Sequence, residues 1–258
     1  MSQPFTYIQS RDNSLIKELR RIAQDNGAYR KLGRIWVEGD HLCRAALSRG
    51  VSPEVAVFSE SFWPSVPVEW AQAAPKVVVL PDALFADISG LESPARMGYV
   101  LGWNAAQDVQ PGVATVVLDR VQDAGNVGSI LRSASAFGFR QIIALKGAAA
   151  LWSPKVLRAG MGAHFALHLV EGAHIDQVAA LNLPVITTSS HQGELIQHTR
   201  LPWPCAWAMG HEGQGVGEAL QSMSSLSVRI GQPGGEESLN VAAAAAICLH
   251  ASALSLPQ

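Results

Sequence analysis

Short apolar runs alternate with amphipathic stretches along most of the chain, and this alternation predicts an α/β fold. From residue 113 onward the apolar runs are nearly continuous, which is typical of parallel strands covered on both faces of a sheet. The stretches between them repeat apolar residues at helical spacing. The predicted strands lie at 113–118, 140–145, 165–170, 184–188, 205–209 and 226–230, and the predicted helices at 127–137, 154–160, 174–181, 216–222 and 239–253.

The first 102 residues show the same alternation in shorter elements, which indicates a small α/β unit. Asp12 or Asn13 can cap its first helix. Residues 103–112 lose the periodicity and end in a Pro-Gly pair, which indicates a linker. The pattern therefore predicts two domains, 1–102 and 113–258, joined by 103–112. In the first domain, strands are predicted at 35–37, 55–58, 77–80 and 97–101 and helices around 13–22, 42–47 and 82–88, whereas 59–75 shows neither period.

Charge is unevenly distributed along the chain. The 258 residues have a net charge of −2 and a hydrophobic content of 48%, which supports a full core but does not indicate a nucleic-acid partner. Residues 1–49 carry nine Lys or Arg against five Asp or Glu, so this segment has a charge of +4 and the remainder −6. A basic segment on an acidic body is compatible with a polyanionic partner and also with a solvated helix face.

Cysteine and histidine spacing argues against metal binding. Cys43, Cys205 and Cys248 are odd in number and far apart, as expected of reduced thiols in a cytoplasmic protein. Only His164 and His168, four residues apart, have a spacing found in metal sites, and no cysteine pair or further histidine accompanies them. No apolar run is long enough to span a membrane, and the N-terminus lacks the apolar core of a signal peptide. We therefore expect a cytoplasmic protein without a metal or a membrane-spanning segment.

Two glycine-rich loops follow predicted strands near the end of the chain. The first, at 210–217, contains four glycines, and the second spans 231–237, before Ser238 or Asn240 opens the last helix. Glycine lets the backbone approach a ligand closely, and open α/β sheets bind ligands at the carboxyl ends of their strands. Ordinary turns are the alternative. The polar residues Glu212, Ser238 and Asn240 in these loops favour a ligand site.

A third polar cluster lies at the start of the helix predicted at 127–137. Asn126 occupies a position where an N-cap residue is expected, so capping is an alternative to a functional role. Arg132 and Ser135 project away from the buried stripe of this helix. A solvated helix arginine is the alternative reading of Arg132.

Together these residues resemble a known family. Asn126-x-Gly128-x-x-x-Arg132, Gly210-His-Glu212-Gly213-Gln-Gly215 and Ser238-Leu239-Asn240-Val241 resemble, in order and spacing, the three motifs of the SpoU (TrmH) family of RNA ribose methyltransferases in the SPOUT superfamily. In the first domain, Ser10-Arg11-Asp12-Asn13 with Ile16-Lys17, and Val37-Glu38-Gly39, resemble the family's RNA-binding domain, whose fold is like certain large-subunit ribosomal proteins. The resemblance covers nearly the whole chain.

The resemblance implies both a fold and a reaction. It implies a ribosomal-protein-like RNA-binding domain, followed by a parallel-sheet SPOUT domain that carries a deep trefoil knot and forms a homodimer. The family transfers a methyl group from S-adenosyl-L-methionine to a ribose 2′-hydroxyl of structured RNA. Ribosomal RNA, in particular 23S rRNA, is favoured over transfer RNA because the short transfer-RNA enzymes of the family lack the N-terminal domain. By position, the cofactor contacts fall on Thr188, Gly210, Gly213, Ile230 and Leu239.

The resemblance also assigns catalytic roles. Arg132 is the family's candidate for helping the hydroxyl lose its proton, and Asn126, Glu212, Ser238 and Asn240 are expected to arrange it, the phosphate and the methionine moiety. Arginine is effectively always protonated in proteins, so two roles remain open for Arg132. One is a base shifted by its site, and the other is a charged group that polarises the hydroxyl and clamps the 3′-phosphate. The expected RNA-binding residues are Arg11, Asn13, Lys17, Arg20 and Arg21.

Three positions depart from the family pattern, and two other enzyme classes do not fit the motifs. Ala124 and His211 differ from the usual residues, and Pro233 comes later than the usual proline, so the family's backbone path beside the methionine end of the cofactor does not carry over directly. A nucleotide-dependent dehydrogenase is excluded because a dinucleotide fingerprint opens a βαβ unit, and a P-loop NTPase is excluded because Gly-Lys-Ser/Thr is missing. A transfer-RNA ribose methyltransferase and a catalytically silent RNA-binding protein on the same fold remain alternatives.

Overall fold

The computed structural model describes residues 4–89, 93–105, 107–189, 193–234 and 238–255. Its strands are β1 (Thr6–Tyr7), β2 (Arg34–Glu38), β3 (Val55–Ser59), β4 (Lys76–Leu80), β5 (Met97–Gly102), β6 (Thr115–Leu118), β7 (Gln141–Leu145), β8 (His168–Ala173), β9 (Val185–Thr188), β10 (Glu194–Leu195), β11 (Ala206–Met209) and β12 (Ser224–Arg229). Its helices are α1 (Ser14–Gln24), α2 (Ala28–Leu32), α3 (Asp40–Ser48), α4 (Val68–Gln72), α5 (Asp82–Ile88), α6 (Ala124–Ala136), α7 (Pro154–Gly160), α8 (Asp176–Ala179), α9 (Glu218–Ser222) and α10 (Val241–Leu254). Short 3-10 helices lie at Trp63–Ser65, Ala163–Ala166 and Ile196–His198.

The chain forms two compact units, one of residues 1–105 with 152–165 and the other of 106–151 with 166–258. The first unit contains a five-stranded sheet in the order β1-β4-β3-β5-β2. In this sheet β5 runs antiparallel to β2 and β3, whereas β4 pairs in parallel with β1 and β3. Helix α1 buries Ile16 and Leu19 in the core beside Val57 and Val78. Of the two predicted caps, Asn13 is the one used, because its Oδ1 accepts the N–H of Leu15 at 3.0 Å.

Helix α7 departs from the predicted domain division. The sequence pattern places it in the second domain, but it groups with the first unit, where it packs against α1 and β2. Its apolar residues Val156 and Leu157 are buried, and Leu157 borders a small cavity with Trp36 and Leu42. Helical periodicity identifies an apolar face but does not say which core buries it, so the sequence could not assign this segment.

The second unit contains a seven-stranded parallel sheet in the order β10-β12-β9-β11-β6-β7-β8. The six strands predicted for this part of the chain are present, together with the short β10. The prediction at 165–170 is shifted, because a turn through Met161 and Gly162, both at positive φ, and the 3-10 helix at Ala163–Ala166 precede β8. This alternation of parallel strands and helices is the predicted α/β architecture.

The register of this sheet aligns the strand ends that carry the motifs. Met209 at the end of β11 pairs with Leu118 at the end of β6, and Thr188 at the end of β9 pairs with Val228 on β12. The loops that follow β6, β9, β11 and β12 therefore leave the sheet at one edge. Within the described ranges, no helix combines the length and apolar composition that crossing a bilayer requires.

Candidate active site

A cavity of about 550 Å³ lies at this edge of the second sheet. Its walls are the ends of β9 and β12, the loop after β11 and the start of α10. The volume falls in the range of small-molecule sites. The lining includes eight residues named from the sequence: Thr188, Gly210, Glu212, Gly213, Ile230, Ser238, Leu239 and Asn240. The end of the second predicted loop, 235–237, lies outside the described residues.

The wall formed by the first glycine loop suits a cofactor that is held by backbone groups. A Cβ on Gly210 would lie 2.2 Å from the backbone carbon of Gly215, so only glycine allows the loop to fold back at this point. Gly215 itself has a φ of 67°, in the left-handed region that favours glycine. Main-chain N–H and C=O groups are accessible where side chains are missing. The lining therefore fits S-adenosylmethionine, whose adenosine can be gripped by backbone groups of Gly210, Ile230 and Leu239.

Side chains from all three motifs are joined in one hydrogen-bonded chain. Asn240 donates from Nδ2 to Oδ1 of Asn126 at 2.9 Å, and Asn126 donates from Nδ2 to Oε1 of Glu212 at 3.2 Å. The remaining oxygen of Asn240 caps α10 by accepting the N–H groups of Ala242 and Ala243. One amide therefore both starts the last helix and reaches the first motif.

The predicted N-cap at Asn126 is wrong. Helix α6 begins at Ala124, and its cap is Asp123, whose Oδ1 accepts the N–H of Asn126 at 2.7 Å. Because Asp123 satisfies this helix end, the Asn126 amide is available for Glu212 and Asn240. An aspartate three residues before Asn126 was the sequence signal that could have located the cap.

Glu212 is an anion held at the start of α6. Burial alone would raise the pKa of its carboxyl, but hydrogen bonds from the backbone N–H groups of Glu212, Asp123 and Gln122 and from the Asn126 amide outweigh burial. The net effect lowers the pKa of Glu212 below its usual value. The carboxylate is therefore charged at neutral pH, where the N-terminal end of a helix favours a negative group.

Arg132 lies outside this cluster. It is exposed on α6, six residues after Asn126, which is about 9 Å along the helix axis. It is not part of the cavity lining, and its guanidinium has no hydrogen bond or ion pair with any residue in the described ranges. The structure thus brings four of the five predicted catalytic residues together and leaves Arg132 apart.

Comparison with known proteins decides the family. Residues 114–250, more than half of the chain, match the family model described as the SpoU rRNA Methylase family. The chain belongs to this family. The SpoU chain is 28% identical over 247 residues to the 23S rRNA (guanosine(2553)-2′-O)-methyltransferase RlmP of Bacillus subtilis, with 94% of this chain and 97% of that protein covered. It is 31% identical over 261 residues to a Synechocystis protein named tRNA/rRNA methyltransferase slr1673, with 94% and 92% covered.

A solved structure has the same fold as this SpoU chain. The S-adenosylmethionine-bound rRNA methyltransferase from Sinorhizobium meliloti superposes with a TM-score of 0.84 at 24% identity, covering 98% of this chain and 99% of the other. The α/β fold with a parallel sheet is thereby confirmed. This SpoU chain is an RNA methyltransferase.

Two further residues of the SpoU chain, Asp119 and Arg120, hold the first glycine loop, and the sequence analysis missed them. Asp119 follows β6 and is 7% exposed. Its N–H donates to the Met209 carbonyl at 2.8 Å, and its Oδ2 accepts the N–H of Gly217 at 2.7 Å, so it contacts both ends of the loop. Arg120 donates to both carboxylate oxygens of Asp119, at 2.9 and 3.1 Å, and to Oε1 of Gln214 at 2.9 Å.

Asp119 is ionised because of these contacts. Burial would raise its pKa, but the hydrogen bonds from Arg120 and Gly217 and the positive charge nearby lower it. An aspartate directly after a buried strand, at the edge where parallel sheets bind ligands, was the available sequence signal.

The predicted RNA-binding residues of the first unit are partly engaged within the protein. Arg20 pairs with Asp87 and is only partly exposed, and Arg11 lies 3.6 Å from the same carboxylate. Lys17 pairs with Asp12 at 2.9 Å. Asn13 uses its side-chain oxygen to cap α1, so it is less available for reading a base. Arg21 is exposed.

The three cysteines are all free and buried. Burial raises the pKa of Cys205 and of Cys248 to about 12 and raises that of Cys43 further. These thiols are therefore uncharged core residues. Across the described residues, no group of His, Cys, Asp and Glu could hold a metal ion.

Proposed function

We propose that this chain methylates a ribose 2′-hydroxyl in structured ribosomal RNA, with 23S rRNA as the substrate. The observation that carries the proposal is the chain of hydrogen bonds from Asn240 through Asn126 to Glu212, beside a cavity that fits the cofactor. The name of the Bacillus subtilis relative supports a 2′-hydroxyl of 23S rRNA, and the Synechocystis name leaves transfer RNA as the alternative.

The cofactor would supply a methyl group on a positively charged sulfur for in-line displacement: the ribose 2′-oxygen forms the C–O bond as the C–S bond breaks, a neutral thioether leaves, and the hydroxyl proton passes to water. Thr188, Gly210, Gly213, Ile230 and Leu239 hold the cofactor. The C-terminal unit takes the deep trefoil knot implied by the resemblance, formed by the segments that line the cavity. The order of the sheet, in which β9 lies between β11 and β12, supports this assignment. Alignment of donor and acceptor provides much of the acceleration in such a reaction.

Glu212, Asn126 and Asn240 act as a fixed polar framework, and Ser238 on the same wall contributes a hydroxyl that can orient the methionine moiety or a phosphate. Each amide in this framework both donates and accepts, so the orientation of all three side chains is set. Arg132 polarises the ribose hydroxyl and clamps the adjacent 3′-phosphate as a charged group, because arginine keeps its proton in proteins. Its planar fork suits a phosphate.

A homodimer brings Arg132 of one copy to the cavity of the other. Two observations support this arrangement. Arg132 lies outside the cavity of its own chain and has no partner in the described ranges. Helix α10, which packs against α6, exposes Ile247 and Leu254 at 40% and 73%. Large apolar side chains exposed on one helix are typical of an interaction surface.

The first unit binds the RNA. Its basic segment, the exposed Lys17 and Arg21, and its resemblance to ribosomal proteins support this role. Arg11 and Arg20 add positive charge beside Asp87, and Asn13 orders the loop before α1. A cytoplasmic location stays a prediction.

Mapping ribose methylation in total RNA from cells with and without this protein tests the function. We expect one 2′-O-methyl group in 23S rRNA to disappear and to return when the purified protein and S-adenosylmethionine are added to that RNA. If a 2′-O-methyl group disappears from transfer RNA instead, transfer RNA is the substrate and the proposal of 23S rRNA is wrong. Calorimetric binding of S-adenosylmethionine without methylation of any RNA would favour a catalytically silent protein.

A further inference from the structure

We propose that His211 is a positioning residue that holds the cofactor loop in shape through the acceptor nitrogen of a neutral imidazole. This inference rests on the proposed cofactor cavity and assigns a task to a residue that departs from the family pattern. His211 itself lines the cavity, between Gly210 and Glu212.

The loop closes on itself at His211. The backbone N–H of His211 donates to the Gly215 carbonyl at 3.0 Å, and the N–H of Gly215 donates back to the His211 carbonyl at 2.8 Å. These two bonds enclose residues 212–214. Within this loop, the backbone N–H groups of Gly213 and Gln214 both donate to Nδ1 of the His211 imidazole, at 3.0 and 3.2 Å.

Two N–H groups directed at Nδ1 determine the protonation of the ring. Nδ1 can accept them only with a free lone pair, so the proton of the neutral imidazole resides on Nε2. A protonated imidazole carries hydrogen on both nitrogens and accepts nothing. Adding a proton to His211 would therefore break both bonds inside the loop.

The backbone N–H groups of Gly213 and Gln214 depend on the imidazole, because the other contacts of the loop are made at its ends or by side chains. Asp119 contacts Met209 and Gly217, at the two ends of the loop, and Arg120 reaches the Gln214 side chain from outside. The charged groups near His211 are Asp119, which interacts with it electrostatically, Arg120, which pairs with Asp119, and Glu212, the next residue in the loop. The pKa values of Asp119 and Glu212 are lowered, so both carboxylates remain charged between about pH 8 and about pH 5.5.

The consequence concerns cofactor affinity more than the methyl-transfer step. The loop residues Gly210, Gly213 and Gly215 form one wall of the cavity, and a loop that must be ordered on binding lowers affinity. The Glu212 carboxylate is fixed separately by Asn126 and the start of α6. Loss of the imidazole should thus raise the dissociation constant and KM for the cofactor while kcat at saturating cofactor changes little.

The test compares His211→Ala with His211→Asn. An asparagine side-chain oxygen readily accepts the N–H two residues further on, so it can replace Nδ1 without a titratable group. Calorimetry with S-adenosylmethionine should give a dissociation constant raised on the order of tenfold in His211→Ala, as loss of two hydrogen bonds implies, and raised by less than about threefold in His211→Asn. His174→Ala, an exposed histidine on a different loop, serves as the matched control and should bind like the parent protein.

Repeating the titration at about pH 8 and about pH 5.5 adds a readout that a general structural defect would not produce. Histidine side chains ordinarily gain a proton in this interval, so affinity should fall at the lower pH in the parent protein and in His174→Ala but stay constant in His211→Asn. Equal affinity of His211→Ala and the parent, failure of asparagine to rescue, or the same pH response in His211→Asn would each overturn the inference. A parent protein that does not bind S-adenosylmethionine would overturn the proposed cavity and this inference with it.

Discussion

The side-chain amide of Asn240 donates to the side-chain oxygen of Asn126 at 2.9 Å, across 114 positions of sequence. Asn126 in turn donates a hydrogen bond from its side-chain amide to the carboxylate of Glu212. The last helix, the first motif helix and the glycine loop are therefore coupled through three side chains. This coupling has consequences that can be measured one residue at a time.

Breaking the coupling should reduce methyl transfer without unfolding the protein. Asn126→Ala removes both of its side-chain contacts, and we expect kcat to fall at least tenfold because Glu212 and Asn240 lose their common partner. Asn240→Ala should show the same defect and also lose about 1 kcal/mol of stability, since it removes the cap of α10. Asn240→Ser is the control that retains a capping oxygen. If Asn240→Ser methylates normally, the bond to Asn126 does not matter for catalysis.

Adding one methyl group at Gly210 should distort the loop that forms one wall of the cavity. A Cβ there would lie 2.2 Å from Gly215 and 2.3 Å from the nitrogen of Val216, both backbone atoms. Gly210→Ala should therefore distort the loop, cost about 2 kcal/mol as typical overpacking does, and abolish measurable cofactor binding. Gly234→Ala is the matched control, because a Cβ at Gly234 meets nothing within 4 Å. Calorimetry and thermal unfolding of both variants check this, and normal binding by Gly210→Ala would contradict it.

Asp119 should make stability depend on pH at acidic values. Its pKa is lowered in the folded protein, so the stabilisation is fully present above its unfolded value near 3.8 and is lost as pH falls through the lower folded value. Asp119→Asn should lower the free energy of unfolding at pH 7 by about 2 kcal/mol, typical of hydrogen bonds to a charged group. It should also make the free energy of unfolding less dependent on pH in the acidic range. Urea unfolding between about pH 2 and about pH 7 measures both effects, with the exposed Asp176→Asn as control. If the stability of Asp119→Asn falls as steeply with acid as that of the parent protein, groups other than Asp119 cause the pH dependence.

Arg132 should be needed for methylation but not for binding the cofactor. Arg132→Ala and Arg132→Lys should both lose on the order of a hundredfold in kcat, because lysine lacks the planar fork for a phosphate and hydroxyl. The dissociation constant for S-adenosylmethionine should stay within about twofold, since Arg132 is not in the cavity lining. Arg140→Lys, at another exposed arginine of the same unit, is the control. Near-normal methylation by Arg132→Lys would contradict both roles considered for this residue.

Charge reversal on α1 should weaken RNA binding alone. Lys17→Glu and Arg21→Glu alter exposed side chains, whereas Arg20 is tied to Asp87, so its reversal would also disturb the fold. We expect the RNA affinity to fall and the slope of log affinity against log salt to decrease by about one per lost phosphate contact, with unchanged cofactor affinity. Arg44→Glu on α3 serves as control. Equal losses in RNA and cofactor binding would indicate misfolding, and an unchanged salt slope would remove α1 from the interface.

The amino-acid sequence by itself identified the longer strands and helices in both units, because apolar periodicity reflects which face of an element is buried. The short elements β1, α2, α4 and β10 were not predicted, since too few residues carry a period in them. It also identified the two glycine loops with Glu212, Ser238 and Asn240, since glycine loops after buried strands have a local signature. Thr188, Ile230 and Leu239 of the cavity lining were assigned only through the family resemblance. The helix at 154–160 was found by the same periodicity, yet its place in the first unit was not, because an apolar face does not specify its partner.

Only the tertiary structure decided which side chains meet. Asn126 matches a cap by sequence, but Asp123 takes that position and leaves Asn126 for Asn240, 114 residues away. Asp119 and Arg120 resemble any polar pair after a strand until the sheet register brings Gly217 and Gln214 to them. Periodicity is a property of neighbours in sequence, whereas these contacts depend on which strands pair and in which register, and that is settled only when the whole sheet forms.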